Sequence, residues 1–265
     1  MENKVILSID SRGVAEITLN NPDKHNAFDD EVIALLTDAF KEVADNSTVR
    51  VAVLSSNGKS FSAGADLGWM KRMASYSLEQ NKQDADALAE LFRTITFLPQ
   101  PTIAKIQGAA FGGAVGLTAC CDIAIASQKA SFCLSEVKLG LIPATIGPYV
   151  VSAMGLRNAK RYFMTAERFF AEKAMELGLV SEVVAPEQLD VEVNNMIATL
   201  LANGPTAVCQ AKKLALDIAN KPVTAELIDD TSARIAAIRV SEEGQEGLGA
   251  FFDKRAPKWQ QASEE

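Results

Sequence analysis

Ile106-Gln107-Gly108-Ala109-Ala110-Phe111-Gly112-Gly113-Ala114-Val115-Gly116-Leu117 sets the organisation of this chain. A short apolar strand beginning near Ile103 enters a turn containing three glycines, and a nearly all-apolar helical run leaves it. Gly112 and Gly113 fall where that helix should begin. Backbone N–H groups at a helix start have no intrahelical acceptor and carry partial positive charge. Glycine there lets a ligand approach the backbone closely. Two readings stand on this segment alone. It is a tight strand-to-helix turn with glycines for steric reasons, or it holds an anion, either a phosphate or an enolate that develops during a reaction.

Ser60-Phe61-Ser62-Ala63-Gly64-Ala65-Asp66-Leu67 shifts the balance, because it too follows a strand and precedes a helix. If both helix starts face one pocket, the N–H groups of Ala65 and Gly113 converge on one carbonyl oxygen. Two donors aimed at a developing oxyanion stabilise enolates and tetrahedral intermediates, each contributing about 3–4 kcal/mol. Asp66 reads as the N-cap of a helix beginning at Leu67 rather than as a catalytic acid.

Outward from these loops the chain alternates strands and helices. Val5 to Ile9 and Val14 to Leu19 read as a hairpin, the second arm alternating Ala15, Ile17 and Leu19 with polar neighbours. Asp29, Asp30 and Glu31 open a helix with Val32, Leu36, Ala39 and Val43 on one face. Val49 to Leu54 is the next strand. Ser77-Leu78-Glu79-Gln80 fits a capping box, ahead of an apolar stripe of Ala85, Leu88, Phe92 and Ile95 that Pro99 and Pro101 end. Strands follow at Asp122–Ser127, Ser131–Leu134 and near Leu179–Val184, with helices over 148–154, 158–164, 171–177 and 186–203. Strand pairs followed by a helix recur about four times before residue 190, and from Pro205 onward the pattern is helical only. The expectation is an α/β core over residues 1–200 with a helical appendage over 201–265, which suits an oligomer interface.

Composition excludes several functions. The formal charge of −8 disfavours a nucleic-acid surface. Met1-Glu2-Asn3-Lys4 shows no signal-peptide pattern, and no apolar run is long enough to span a bilayer, so a cytoplasmic address is expected. Cys120, Cys121, Cys133 and Cys209 show no C-x-x-C pairing and read as small buried hydrophobes, with no metal role.

Four segments occur in order: Lys24-His25-Asn26-Ala27, Phe61 to Leu67, Gln107 to Gly113, and Phe132-Cys133-Leu134-Ser135-Glu136. With Leu139-Gly140-Leu141-Ile142-Pro143 they resemble the crotonase (enoyl-CoA hydratase/isomerase) superfamily over essentially the whole chain. The resemblance implies a spiral of ββα units with a C-terminal helical trimerisation region, assembled as a homotrimer or a hexamer of two trimers. It implies an acyl-coenzyme A thioester as substrate, with no separate cofactor because coenzyme A is part of that substrate. It assigns the oxyanion hole to the N–H groups of Ala65 and Gly113 and the acid/base to Glu136. Backbone at Ala27 and from Ala63 through Gly64, Ala65 and Asp66 to Leu67 would line the coenzyme, with His25 near it and Gly112 in the turn. Lys24, Lys59, Lys71, Arg72, Lys254 and Arg255 are candidates for the coenzyme phosphates.

The chain departs from the family pattern in two places. Hydratases of this family carry a second glutamate three residues after the second turn glycine, and that position is Gly116. The glycine is expected to keep room for a branched or charged acyl group, against the alternative that it allows helices to pack closely. Ala144 to Tyr149 replaces the family's glycine-rich continuation after Pro143. With Trp69-Met70 and the Gly112 to Gly116 turn, this is similar to bacterial methylglutaconyl-CoA hydratases and their isohexenylglutaconyl-CoA relatives. Glu136 lies among Phe132, Leu134, Val137 and Leu139, where desolvation would raise its pKa. A Δ3-Δ2-enoyl-CoA isomerase using Glu136 alone is the second enzyme reading. A non-catalytic, RNA-binding role is the third, opposed by the acidic charge.

Overall fold

The computed structural model describes residues 3–260. The leader reading at Met1–Glu2 and the end of the helical region at 261–265 lie outside them. The main sheet has six strands. They are β1 (Val5–Ile9), β2 (Val14–Leu19), β3 (Val51–Ser56), β4 (Thr102–Ile106), β6 (Ile123–Ser127) and β9 (Glu182–Val184), adjacent in that order. Only the β1–β2 hairpin is antiparallel; the other pairs are parallel and need crossovers. A smaller sheet joins β5 (Ala109–Phe111), β7 (Ser131–Cys133) and β8 (Phe169–Phe170).

The crossovers are α1 (Asp30–Asp45), α2 (Leu67–Met73), α3 (Leu78–Thr96) and α4 (Gly113–Cys120). They are followed by α5 (Gly147–Met154), α6 (Leu156–Thr165), α7 (Ala171–Glu176) and α8 (Leu189–Leu201), then α9 (Pro205–Ile218), α10 (Ala225–Val240) and α11 (Glu242–Asp253). This is the expected spiral of strand pairs and helices, with helices alone after residue 205. Parallel strands covered on both faces read as continuous apolar runs. Five of the six residues of β3 are buried.

Local signals account for most element ends. Asp29 caps α1 by accepting the Val32 N–H at 3.0 Å, and Val32, Leu36, Phe40 and Val43 bury the face that the helical spacing predicts. The Ser77 box forms as read: its hydroxyl accepts the Gln80 N–H at 3.2 Å, and the Gln80 side chain accepts the Ser77 N–H at 2.9 Å. The third strand begins at Val51 rather than Val49, and the predicted helix over 186–203 resolves into a 3-10 turn at Pro186–Gln188 followed by α8. The strand expected near Ile103 is β4, and the glycine turn that follows it contains a further strand, β5, which belongs to the other sheet. Gln107-Gly108 makes the transfer, where a Cβ on Gly108 would stand 2.0 Å from the Lys59 carbonyl oxygen. All four cysteines are free thiols. Burial pushes Cys120 up to about 12, which makes it a poor nucleophile.

The chain after α8 is tied to the core by Arg50. Its Nη2 donates to the carbonyls of Leu201 and Asn203 at 2.9 and 2.8 Å. Lys212 reaches back to Asp122 at 2.7 Å and to the Gln100 carbonyl at 3.1 Å.

Candidate active site

Two isolated parallel bridges bring the key loops together, Phe28 with Ala65 and Ser62 with Ala110. In the first, the Phe28 N–H donates to the Gly64 carbonyl at 2.9 Å and the Asp66 N–H to the Phe28 carbonyl at 3.0 Å. The flanking residues thus satisfy Phe28, and the N–H of Ala65 itself has no acceptor among the described residues. In the second, Ser62 donates to Ala109 at 3.0 Å and accepts from Phe111 at 3.0 Å. This lays residues 62–65 alongside 109–113.

Gly64 sits at φ +89°, and a Cβ there would lie 2.8 Å from the Phe111 carbonyl oxygen. Both the dihedral and the space demand glycine. Gly112 adopts φ 53°, ψ −123°, a conformation suited to glycine. Its N–H donates to the Cys133 carbonyl at 2.8 Å, which extends the β5–β7 pairing up to the start of α4. Gly113 opens that helix with its N–H unclaimed. A Cβ on Gly113 would strike the Phe28 ring at 2.5 Å, so glycine is needed there for close packing.

The Gly112–Cys133 bond also delivers Glu136. This residue begins the 3-10 turn Glu136–Leu139, closed by Gly140 in the left-handed region. Its Oε1 lies 3.5 Å from where a Gly112 Cβ would be. Its Oε2 is buried without a hydrogen-bond partner among the described residues. Burial raises the carboxyl pKa above the ordinary range, opposed only by its own backbone N–H. Phe132 and Leu134 are fully buried beside it, whereas Leu139 is exposed. One desolvated carboxylate therefore stands beside two free N–H groups.

Asp66 is the cap of α2, accepting the N–H groups of Gly68 and Trp69 at 2.8 and 3.1 Å. Lys24 approaches it at 3.0 Å, and that bond, followed by the cap bonds, holds the carboxyl below its usual range. Of the positions expected to line a coenzyme, His25, Ala63 and Leu67 are exposed and Ala27 is half-buried. The His25 ring meets the Ser60 hydroxyl at 3.2 Å. Of the cations considered for the phosphates, Arg72 pairs with Asp30 and Arg255 with Glu246. Lys59 lines a different cleft.

The expectation of open space at Gly116 is corrected. A Cβ there would stand 2.3 Å from Ile146 Cγ2, 2.9 Å from Ile146 Cβ and 3.0 Å from Phe92 Cε1. Ile146 fills the slot, so the close-packing alternative accounts for the glycine. Sequence reasoning also passed over Asn26, which is buried at φ 53°. Its amide nitrogen donates to the carbonyls of Asn57 and Ser60 at 2.7 and 2.9 Å, fixing the His25–Ala27 loop against the loop that leads to Ala65. Gln107 converges on the same Ser60 carbonyl at 3.2 Å. An asparagine between two loop residues was the one available signal, since asparagine tolerates positive φ.

The enoyl-CoA hydratase/isomerase family profile matches residues 10–262. The chain belongs to this family. The enoyl-CoA hydratase of Shewanella pealeana has a solved structure that superposes with a TM-score of 0.94 at 48% identity, over 97% of this chain and 96% of its own. The crotonyl-CoA hydratase of Syntrophomonas wolfei is 31% identical over 91% of this chain and 92% of its own length. The trans-2-decenoyl-[acyl-carrier-protein] isomerase of Streptococcus mutans is also 31% identical, over 98% and 99% respectively. Hydratases and an isomerase thus share the fold and the length of this enoyl-CoA hydratase/isomerase family member.

Proposed function

We propose that this family member is a hydratase adding water across the α,β double bond of a branched enoyl-CoA thioester. The preferred substrate is 3-methylglutaconyl-CoA or isohexenylglutaconyl-CoA. The buried, unpartnered Oε2 of Glu136 beside the free Ala65 and Gly113 N–H groups carries the reading. The two N–H groups donate hydrogen bonds to the thioester carbonyl oxygen. Glu136 takes a proton from water as the water oxygen bonds to Cβ and the π electrons move into the enolate. The same carboxyl then returns its proton to Cα, and the enolate collapses to the hydroxyacyl thioester. Ile146 occupies the place of a second carboxylate, which supports one group serving both proton transfers. The acyl preference rests on the similarity of the Gly112–Gly116 turn and the Ala144–Tyr149 segment to methylglutaconyl-CoA hydratases. The protein is proposed to assemble as a trimer or a hexamer through its C-terminal helices, where Val223, Val240, Phe251 and Phe252 are exposed.

The same apolar wall at Gly116 favours one second reading, Δ3-Δ2-enoyl-CoA isomerisation, in which Glu136 moves a single proton from C2 to C4. The test follows conjugated-thioester absorbance and product mass with 3-methylglutaconyl-CoA, crotonyl-CoA and a 3-enoyl-CoA. Loss of conjugation with gain of one water, fastest on 3-methylglutaconyl-CoA, is expected. Gain of conjugation from the 3-enoyl thioester at constant mass, without hydration, replaces the hydratase by the isomerase.

A further inference from the structure

A second cleft, of about 440 Å³, opens beside the small sheet. Lys59, Lys129 and Arg168 line it together with Ser60, Gln107 and Ser131, and no acidic residue does. This is unexpected in a chain with 34 acidic and 26 basic residues. Elsewhere Lys4, Lys105, Lys212 and Lys213 each have carboxylate partners. Among the described residues, none of the three cleft cations has one. Glu167, next to Arg168, is drawn away into a pair with Arg161 at 2.7 Å.

Arg168 is nonetheless held in place. Its Nη2 donates to the buried Ser131 hydroxyl at 2.7 Å, and its guanidinium lies 5.2 Å from the Phe111 ring centroid and 5.6 Å from that of Phe170. Most of its five N–H donors remain available in a fixed planar fork, the geometry that suits phosphoryl oxygens. Lys59 and Lys129 are exposed and supply two mobile charges. Like charges gathered without counter-charge repel one another, and an anion shared among them removes that cost. The volume is within the usual range for small-molecule sites, about 300–1,000 Å³.

We propose that this cleft binds a diphosphate-class anion, gripped by Arg168 and neutralised by Lys59 and Lys129. The site is independent of the acyl chemistry at Glu136. Because Arg168 leans on Phe111, the residue before Gly112, the bound anion sits next to the loop that carries the Gly113 N–H. The chemistry is shared by free pyrophosphate and by the diphosphate of coenzyme A, and the experiment separates them.

Sodium pyrophosphate is titrated into the full-length protein by calorimetry at low ionic strength, with Lys59→Gln/Lys129→Gln, Arg168→Gln and, as a control, Lys221→Gln. Saturable binding of one equivalent is expected, weakened at least tenfold in the first two variants and unchanged in the control. Arg168→Lys, which keeps the charge and loses the fork, is expected between wild type and Arg168→Gln, and circular dichroism checks that each variant is folded. Titration in saturating free coenzyme A then identifies the source. Undiminished pyrophosphate binding supports a separate anion site, whereas competition with both ligands weakened by the same variants puts the coenzyme's own diphosphate in this cleft and overturns the independent site. No saturable binding, or binding that every variant retains, overturns the proposal.

Discussion

Replacing Gly116 by alanine tests whether its slot is full. Two effects of opposite sign meet at this position. In the middle of α4, alanine gains about 1 kcal/mol of helix propensity over glycine. Against that, the new Cβ would stand 2.3 Å from Ile146 Cγ2 and 3.0 Å from Phe92 Cε1. Neither neighbour yields easily. Ile146 is 1% exposed and Phe92 fully buried, and the clashing Cγ2 is attached to the Ile146 Cβ rather than at the end of a long side chain. Overpacking of this kind costs about 1–3 kcal/mol. The net expectation is destabilisation by up to about 2 kcal/mol, or a Tm lower by up to about 4 °C. In an Ile146→Ala background the 2.3 Å contact with Cγ2 is gone while the Cβ of residue 146 at 2.9 Å and Phe92 at 3.0 Å remain, so the same substitution costs less than in wild type. Thermal unfolding of the four proteins in the cycle reads this coupling directly. A Gly116→Ala protein more stable than wild type by the full helix-propensity gain would refute the argument and restore open space for substrate at this position.

Glu136→Gln is expected to lower kcat by about 10²–10⁴ while folding normally, and full activity in that variant would remove Glu136 from the mechanism. Because burial raises the Glu136 pKa, the native state holds this proton to higher pH than the unfolded chain. Its contribution to stability therefore falls as pH rises from the ordinary glutamate range to the raised value, and levels off above it. Tm against pH should show that decline in wild type and lack it in Glu136→Gln. Gly64→Ala forces a Cβ to 2.8 Å from the Phe111 carbonyl at φ +89°. It should cost about 1–2 kcal/mol from the dihedral alone and lower kcat by displacing the Ala65 N–H; wild-type kcat would show that the N–H takes no part. Asp66→Ala should cost about 1 kcal/mol as a lost cap, whereas Asp66→Asn, which keeps an acceptor, should melt near wild type. Equal losses in the two would shift the weight to the Lys24 pair.

The sequence alone determined the succession of elements and the two loops that matter. Strand alternation, the acidic helix start at Asp29–Glu31, the Ser77 box and the Asp66 cap are local, each written within a few residues, so no tertiary information was needed to read them. The structure added that Asp29 is the cap of its helix and that Gly64 and Gly112 have positive φ. The likeness of four ordered segments to a known family added Glu136, whose chemistry its own surroundings would not have singled out.

Tertiary structure decided what depends on residues far apart in the chain. Gly116 reads as vacancy in sequence, because nothing near it shows that Ile146 will return to fill the slot. The glycine-rich stretch after Ile106 reads as a turn, and only the pairing of Ala109–Phe111 with β7 shows that it holds a strand of the second sheet. Lys59, Lys129 and Arg168 are unremarkable lysines and arginine until the small sheet gathers them around one cleft. Periodicity and caps report the conformation of the backbone beside them. Which side chain fills a space, and which charges are left without partners, is settled only when distant segments pack together.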